Sequence, residues 1–212
     1  DSRSVRQGDA FIALKGSVTD GHRYIDAALK AGAQTVICNE GHPGIGSGIT
    51  VIEVPDTKEA LVRILPRLFP HAREVRLVGI TGTSGKTTTT YLIESILKAA
   101  GMNPGVIGTI NIRYNGITTD SSVTTPGPVD LFEHLDTMGF SRVDACVMEV
   151  SSHSLDQERV VGLEFDCAVF TNLSHDHLDY HKDMETYFQA KKKLFDSAYL
   201  KGRPVINADD KF

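Results

Sequence analysis

The stretch GITGTSGKTTTT, residues 79–90, does most to limit how this chain folds. It follows an apolar run, VRLVGI at 75–80, and opens a segment of helical spacing at 86–100. Strand, glycine-rich turn and helix in that order make a phosphate loop. The turn lets backbone N–H groups converge on an anion, and the helix N-terminus adds partial positive charge. On this reading Gly82, Thr83, Ser84, Gly85, Lys86, Thr87 and Thr88 hold the phosphates of a nucleotide. Lys86 reaches the β- and γ-phosphates, and the Thr87 hydroxyl faces Mg²⁺. The spacing departs from G-x-x-x-x-G-K-[ST]: counted back from Gly85, Ile80 stands where the first glycine is due. An unrelated glycine-rich turn is the competing reading of these residues alone, and the loop does not identify a reaction.

The rest of the chain alternates strand and helix signals. AFIAL (10–14), TVIC (35–38) and ITVIEV (49–54) read as strands. Residues 23–32 read as a helix closed by Gly32, and GHPGIGSG (41–48) reads as a loop. Asp56 is placed as the N-cap of a helix to Leu65, with Glu59 completing a capping box and Pro66 ending or kinking it. PHAREV (70–75) is a polar connector. A second series follows: the 86–100 helix with Leu92, Ile96 and Ala99–Ala100 on one face, then strands at 105–112, 145–150 and 167–173. A helix after Asp183 runs to 198, and a strand covers 204–209. Near-continuous apolar strands imply a parallel sheet covered on both faces. The expected fold is α/β: a small mixed α/β domain, then a mostly parallel sheet of the P-loop NTPase kind.

Composition removes other classes. With 41% apolar and 23% charged residues the chain is globular rather than disordered. The net charge of −5 argues against a duplex nucleic-acid binder. No apolar stretch approaches the roughly 18 residues of a membrane span. No signal peptide is read at the start of the sequence, and the missing Met leads to the expectation of a natural start further upstream. Cys38, Cys146 and Cys167 match no metal spacing and read as small hydrophobes in a reducing compartment.

Four further segments carry a resemblance: DSRSVRQGDAFIALKG at the start, TTPGP at 124–128, MEVSSHSLDQERV at 148–160 and TNLSHDHLDYHKDMETYFQAKKKLF at 171–195. With GTSGKTT, and in this order, they resemble the Mur ligase family, in particular its tripeptide-forming branch. The resemblance implies an ATP-dependent amide ligase of peptidoglycan synthesis. It adds meso-diaminopimelate or L-lysine to UDP-MurNAc-L-Ala-D-Glu through an acyl phosphate. It also implies a monomeric, cytoplasmic bacterial enzyme with no nucleic-acid or membrane partner. Residues 1–72 would bind the UDP-substrate and 73–212 would form a truncated central ATP-binding domain. On this resemblance the family's C-terminal amino-acid-binding domain is expected to lie outside these residues, which are then expected to bind substrate without turnover. A MurF-like ligase and a non-catalytic nucleotide-binding paralogue are the alternatives.

By the same resemblance Lys86, Glu149, His177 and Lys191 are catalytic, with Thr87, Glu149, His177 and Lys191 around Mg²⁺. Glu149 otherwise reads as an ordinary strand-end carboxylate. His175, His177 and His181 crowd seven residues, but Cys is lacking and neighbouring oxygen ligands suit Mg²⁺ rather than zinc. Lys191–Lys193 otherwise read as a solvated helix face, yet successive helical residues point about 100° apart and cannot all face one way. In similar ligases the lysine after the alanine is carboxylated by CO₂, here Lys191; a buried lysine has a lowered pKa, so its neutral amine can react. Ser2, Ser17, Val18 and Thr19 would contact UDP, and Thr124, Thr125, Ser151, Gln157 and Arg159 the muramoyl-dipeptide. Each Ser or Thr taken singly also fits capping or turn chemistry.

Overall fold

The computed structural model describes residues 2–16, 19–41 and 48–212. Ser17, Val18 and most of the loop expected at 41–48 lie outside the described residues. The chain divides into two compact units, 1–64 and 65–212.

The first unit holds a parallel sheet of β1 (Ala10–Ile12), β2 (Thr35–Asn39) and β3 (Thr50–Val54), in that order. α1 (Ile25–Lys30) follows a 3₁₀ turn at Gly21–Tyr24. The helix expected from 23 therefore starts as a tight turn, because the Asp20 carboxylate already accepts the His22 amide at 3.0 Å. Phe11, Ala13, Ile25, Ala28, Val36 and Cys38 form the core. α2 (Thr57–Leu68) begins as expected, with Asp56 accepting the amides of Lys58 (2.7 Å) and Glu59 (3.2 Å). Glu59 pairs with Arg63 one turn on rather than closing a capping box. Pro66 does not end the helix. It removes one backbone bond, and the ladder resumes with Phe69 N–H on Leu65 C=O at 2.9 Å.

The second unit is built on seven strands. In chain order they and their helices are β4 (Arg76–Thr81), α3 (Lys86–Ala99), β5 (Pro104–Ile107), β6 (Asn111–Tyr114), β7 (Ile117–Asp120), α4 (Pro128–Phe140), β8 (Ala145–Glu149), α5 (Ser152–Asp156), β9 (Phe165–Phe170), α6 (Leu178–His181), α7 (Met184–Lys192) and β10 (Leu200–Ile206). The sheet order is β10-β9-β4-β8-β5-β6-β7. The strands from β10 to β5 are parallel, while β6 and β7 add antiparallel edges. β8 sits centrally and is buried throughout, as its unbroken apolar run requires.

Four expectations change here. The single strand read at 105–112 is two strands that reverse at Gly108. A Cβ at Gly108 would lie 2.5 Å from Glu149 Oε1, so the chain turns where only glycine passes the carboxylate. β7 and α4 were not foreseen. β6 and β7 meet in an Asn115–Gly116 hairpin turn with both φ positive (48° and 77°). α4 starts on Pro128 and buries Leu131, Phe132, Leu135 and Met138 at helical spacing. Finally, the α3 face carrying Leu92 and Ile96 points outward; Thr90 and Glu94 lie on the buried side. α7 is capped by Asp183, which accepts Thr186 N–H at 2.7 Å, but it gives way to a 3₁₀ turn at Lys193–Phe195. Cys38 and Cys146 are buried and Cys167 partly so. Burial pushes the Cys146 thiol up to about 12.

Candidate active site

The carboxyl ends of β4, β8 and β9 lie side by side, with Ile80 paired to Glu149 and Thr81 to Phe170. Open parallel sheets bind ligands at this end. The loop 82–85 leaves β4 there and enters α3. Gly82 (φ 143°) passes so close to Thr171 that a Cβ would strike its hydroxyl at 1.9 Å, and Gly85 caps α3 in the left-handed region (φ 84°).

Not every loop amide is available to an anion. Thr83 N–H donates to Asn172 C=O at 2.9 Å, and Ser84 N–H donates to Asn172 Oδ1 at 3.0 Å. Asn172 Nδ2 and Thr171 Oγ1 return bonds to Ser84 C=O at 3.1 and 2.7 Å. Among the described residues the amides of Gly85, Lys86, Thr87 and Thr88 have no acceptor, as expected for a helix start. They open on a cleft of about 200 Å³, lined also by Thr109, Thr124 and Glu149.

Glu149 is almost fully buried. Its carboxylate accepts Thr87 Oγ1 at 2.9 and 3.0 Å, Thr109 N–H at 3.1 Å and Thr109 Oγ1 at 3.0 Å. Thr109 Oγ1 also meets Thr124 Oγ1 at 3.1 Å. Lys86 donates to the carbonyls of Gly82 and Thr83, both at 2.9 Å. Lys191, reaching in from α7, donates to the same Gly82 carbonyl at 2.7 Å. Its side chain is buried, and it lies 4.4 Å over the ring of Tyr187, whose hydroxyl touches Thr83 Oγ1 at 3.2 Å. Burial, and then the Lys86 charge, lower the Lys191 pKa to about 7, against the pull of Asp176. Burial also lowers Lys86, opposed by Glu149 and Asp176.

The structure thus brings Thr87 together with Glu149 and Lys86 together with Lys191. His177 is in the left-handed region, with its half-exposed ring 3.6 Å from Asp176 Oδ2 and edge-on both to His153 at 4.9 Å and to Tyr187 at 6.0 Å. Among the described residues no three His, Cys, Asp or Glu side chains cluster to hold a metal. His181 is buried against Ser152 Oγ at 2.9 Å. Thr125 is fully buried; its hydroxyl donates to Glu149 C=O (2.9 Å) and accepts Ser151 N–H (3.2 Å). Ser151 Oγ caps α5 by accepting Ser154 N–H at 3.1 Å, so both serve local structure. Arg159 donates twice to Gln157 Oε1 and once to Thr125 C=O at 3.1 Å. In the first unit Ser2 and Thr19 line a cavity of about 770 Å³, with Arg3 and Tyr24. Sequence reasoning missed Thr109, Thr171, Asn172 and Tyr187. The last three lie inside the quoted 171–195 segment, while Thr109 carried no signal once residues 105–112 were taken as one strand.

Residues 80–212 match the Mur ligase middle domain, and residues 1–71 match the catalytic domain of the Mur ligase family. The chain belongs to the Mur ligase family. It is 43% identical over its whole length to a UDP-N-acetylmuramoyl-L-alanyl-D-glutamate–2,6-diaminopimelate ligase of Clostridium perfringens, and 44% identical over 99% of its length to the ligase of the same name from Gloeobacter violaceus. It spans 43% of each of those proteins. A solved structure of a ligase of that name superposes with a TM-score of 0.81 at 32% identity, covering all of this chain and 42% of that one. MurF from Thermotoga maritima, solved with ADP, shares the fold at a TM-score of 0.62 and 23% identity, over 99% of this chain and 45% of its own. The resemblance read from the motifs is borne out, as is the α/β fold. No helix among the described residues is long and apolar enough to cross a membrane.

Proposed function

We propose that this Mur ligase chain carries the substrate-binding and nucleotide-binding parts of an ATP-dependent amide ligase. The enzyme joins a diamino acid to the D-Glu carboxylate of UDP-MurNAc-L-Ala-D-Glu. The observation that carries this reading is the cleft in which four free amides, Lys86, and the Thr87–Glu149 pair converge. Amide formation from a carboxylate is uphill, so the carboxylate must be activated by phosphoryl transfer. The four amides and Lys86 bind the β- and γ-phosphates and offset the charge that gathers in the transition state.

The donor set fits Mg²⁺: a buried carboxylate and a hydroxyl, both hard oxygens, face the same cleft as the loop amides. Thr87 and Glu149 would hold one ion, with His177 and an N-carboxylated Lys191 serving a second. Mg²⁺ when bound would neutralise phosphate charge. Lys191 suits carboxylation because, with its pKa near 7, a large share of its amine is neutral at physiological pH.

Residues 1–72 are assigned to the UDP end of the substrate, with Ser2 and Thr19 at the cavity of the first unit and Ser17 beside them in sequence. Residues 73–212 are assigned to the central ATP-binding domain. Thr124, Gln157 and Arg159 are assigned to the muramoyl-dipeptide, and Thr125 and Ser151 support them through the backbone they fix. The Arg159 fork now rests on a neutral amide and is available to a carboxylate. The names of the relatives at 43% and 44% identity favour diaminopimelate over L-lysine as the added residue. We take the enzyme to be a cytoplasmic monomer. The test uses the full-length protein: phosphate release should require UDP-MurNAc-L-Ala-D-Glu and diaminopimelate together. Release with neither present, or with L-lysine alone as the productive amine, would overturn the assignment.

A further inference from the structure

Thr81 ends β4 with its hydroxyl fully buried and without a hydrogen-bond partner. Among the described residues no other buried side-chain nitrogen or oxygen is left in that state. Buried polar groups are normally satisfied, so an orphan next to a functional loop needs a reason. Packing does not supply one, because valine has the same shape and no hydroxyl.

The position of the orphan supplies the reason. Side chains alternate along a strand, so Thr81 shares its face of β4 with Gly79. A Cβ at Gly79 would meet Phe165 at 2.8 Å and Leu194 at 3.3 Å, so that face looks onto the chain just after α7. Lys191 lies one turn before Leu194, and its Nζ reaches the carbonyl of Gly82, the residue that follows Thr81. The orphan hydroxyl and the Lys191 amine therefore lie on the same side of the same strand end. With the lysine unmodified they do not hydrogen-bond.

We infer that the Thr81 hydroxyl is the built-in donor to the carboxylate of an N-carboxylated Lys191; this rests on the reading of Lys191 given above. In the modification the neutral amine attacks the carbon of CO₂. A nitrogen–carbon bond forms, one C=O electron pair moves onto oxygen, and the amine proton leaves to water. The product places two oxygens that share one negative charge beyond the former Nζ. Thr81 O–H donates to one of them and so ceases to be an orphan. The unmodified state carries an unsatisfied hydroxyl that the modified state relieves, which biases the site toward modification.

The test uses full-length enzyme equilibrated with ¹³C-bicarbonate, reading the carbamate signal by NMR and the Tm of CO₂-free samples. Wild type should show one carbamate resonance that Lys191→Ala removes. Thr81→Val should lower its occupancy about fivefold at equal bicarbonate, the factor of one net hydrogen bond. It should also raise the Tm of the CO₂-free protein, because an orphan is removed. Thr81→Ser should keep the wild-type occupancy. Loss of occupancy together with a lowered Tm would mark a structural role and overturn the inference. Unchanged occupancy in Thr81→Val would overturn it while leaving the Lys191 reading intact. No resonance in wild type would overturn both.

Discussion

Lys86 and Lys191, 105 positions apart in the chain, donate to one carbonyl oxygen, that of Gly82, at 2.9 and 2.7 Å. Burial first, and then the repulsion between two ammonium groups on one acceptor, hold Lys191 near 7. Removing the Lys86 charge removes the second of these causes. Lys86→Met should therefore move the Lys191 titration upward, as followed by NMR of its ε-methylene. A downward move would show that Lys86 does not act through its charge.

The same depressed pKa makes stability depend on pH. Between about 7 and the ordinary lysine value of 10.5 the unfolded chain binds a proton that the folded chain lacks. Stability therefore rises with pH across that window, at up to about 1.4 kcal/mol per unit for one proton. Below pH 7 both states are protonated and the full cost of burying the ammonium remains. Urea unfolding at pH 7 and pH 9 should show this rise, and Lys191→Met should flatten it. Equal slopes in the two proteins would contradict the burial of Lys191.

Asn172 fixes the loop through the amides of Thr83 and Ser84. Asn172→Ala releases the Ser84 bonds and should weaken ADP binding about tenfold, or ~1.4 kcal/mol, while the UDP-substrate binds as before. Calorimetry with each ligand separates the two. Equal losses for both ligands would point to general unfolding.

Gly108 leaves no room for a side chain beside Glu149. Gly108→Ala should displace the carboxylate, loosen its bonds to Thr87 Oγ1 and lower the Mg²⁺ dependence of nucleotide binding, with Lys86 and the loop amides left in place. Circular dichroism should stay unchanged. Wild-type Mg²⁺ dependence would show that Glu149 is free to move aside.

Glu94 on α3 is nearly buried and pairs with Arg113 of β6 and, at 2.8 Å, with Lys98. Its pKa stays low because those pairings outweigh the opposing effect of burial. Arg113→Met leaves a buried carboxylate with one exposed partner and should cost on the order of 3 kcal/mol. Chemical denaturation measures it; a loss below 0.5 kcal/mol, the usual bound for a neutral surface change, would place the pair among ordinary surface contacts.

What could be read from the sequence followed from local chemistry. The loop, its flanking strand and helix, and the Asp56 and Asp183 caps each depend on neighbouring residues, and each is where it was expected. α4 carried the same kind of local signal, Pro128 in its first turn and apolar residues at helical spacing, yet was not foreseen. Long-range effects were not legible. The break at Gly108 is caused by a carboxylate 41 positions later. Leu92 and Ile96 have core-like spacing but face outward, because the sheet takes the Thr90–Glu94 side. The withdrawal of two loop amides by Asn172 comes from pairing between β4 and β9, which no local pattern encodes.

Carboxylate activation at this cleft is tested most directly by oxygen transfer. The full-length protein is supplied with ATP, diaminopimelate and UDP-MurNAc-L-Ala-D-Glu labelled with ¹⁸O in the D-Glu side-chain carboxylate. An acyl phosphate requires that one labelled oxygen leave with each phosphate released, read by mass spectrometry. Unlabelled phosphate accompanying product would contradict the account.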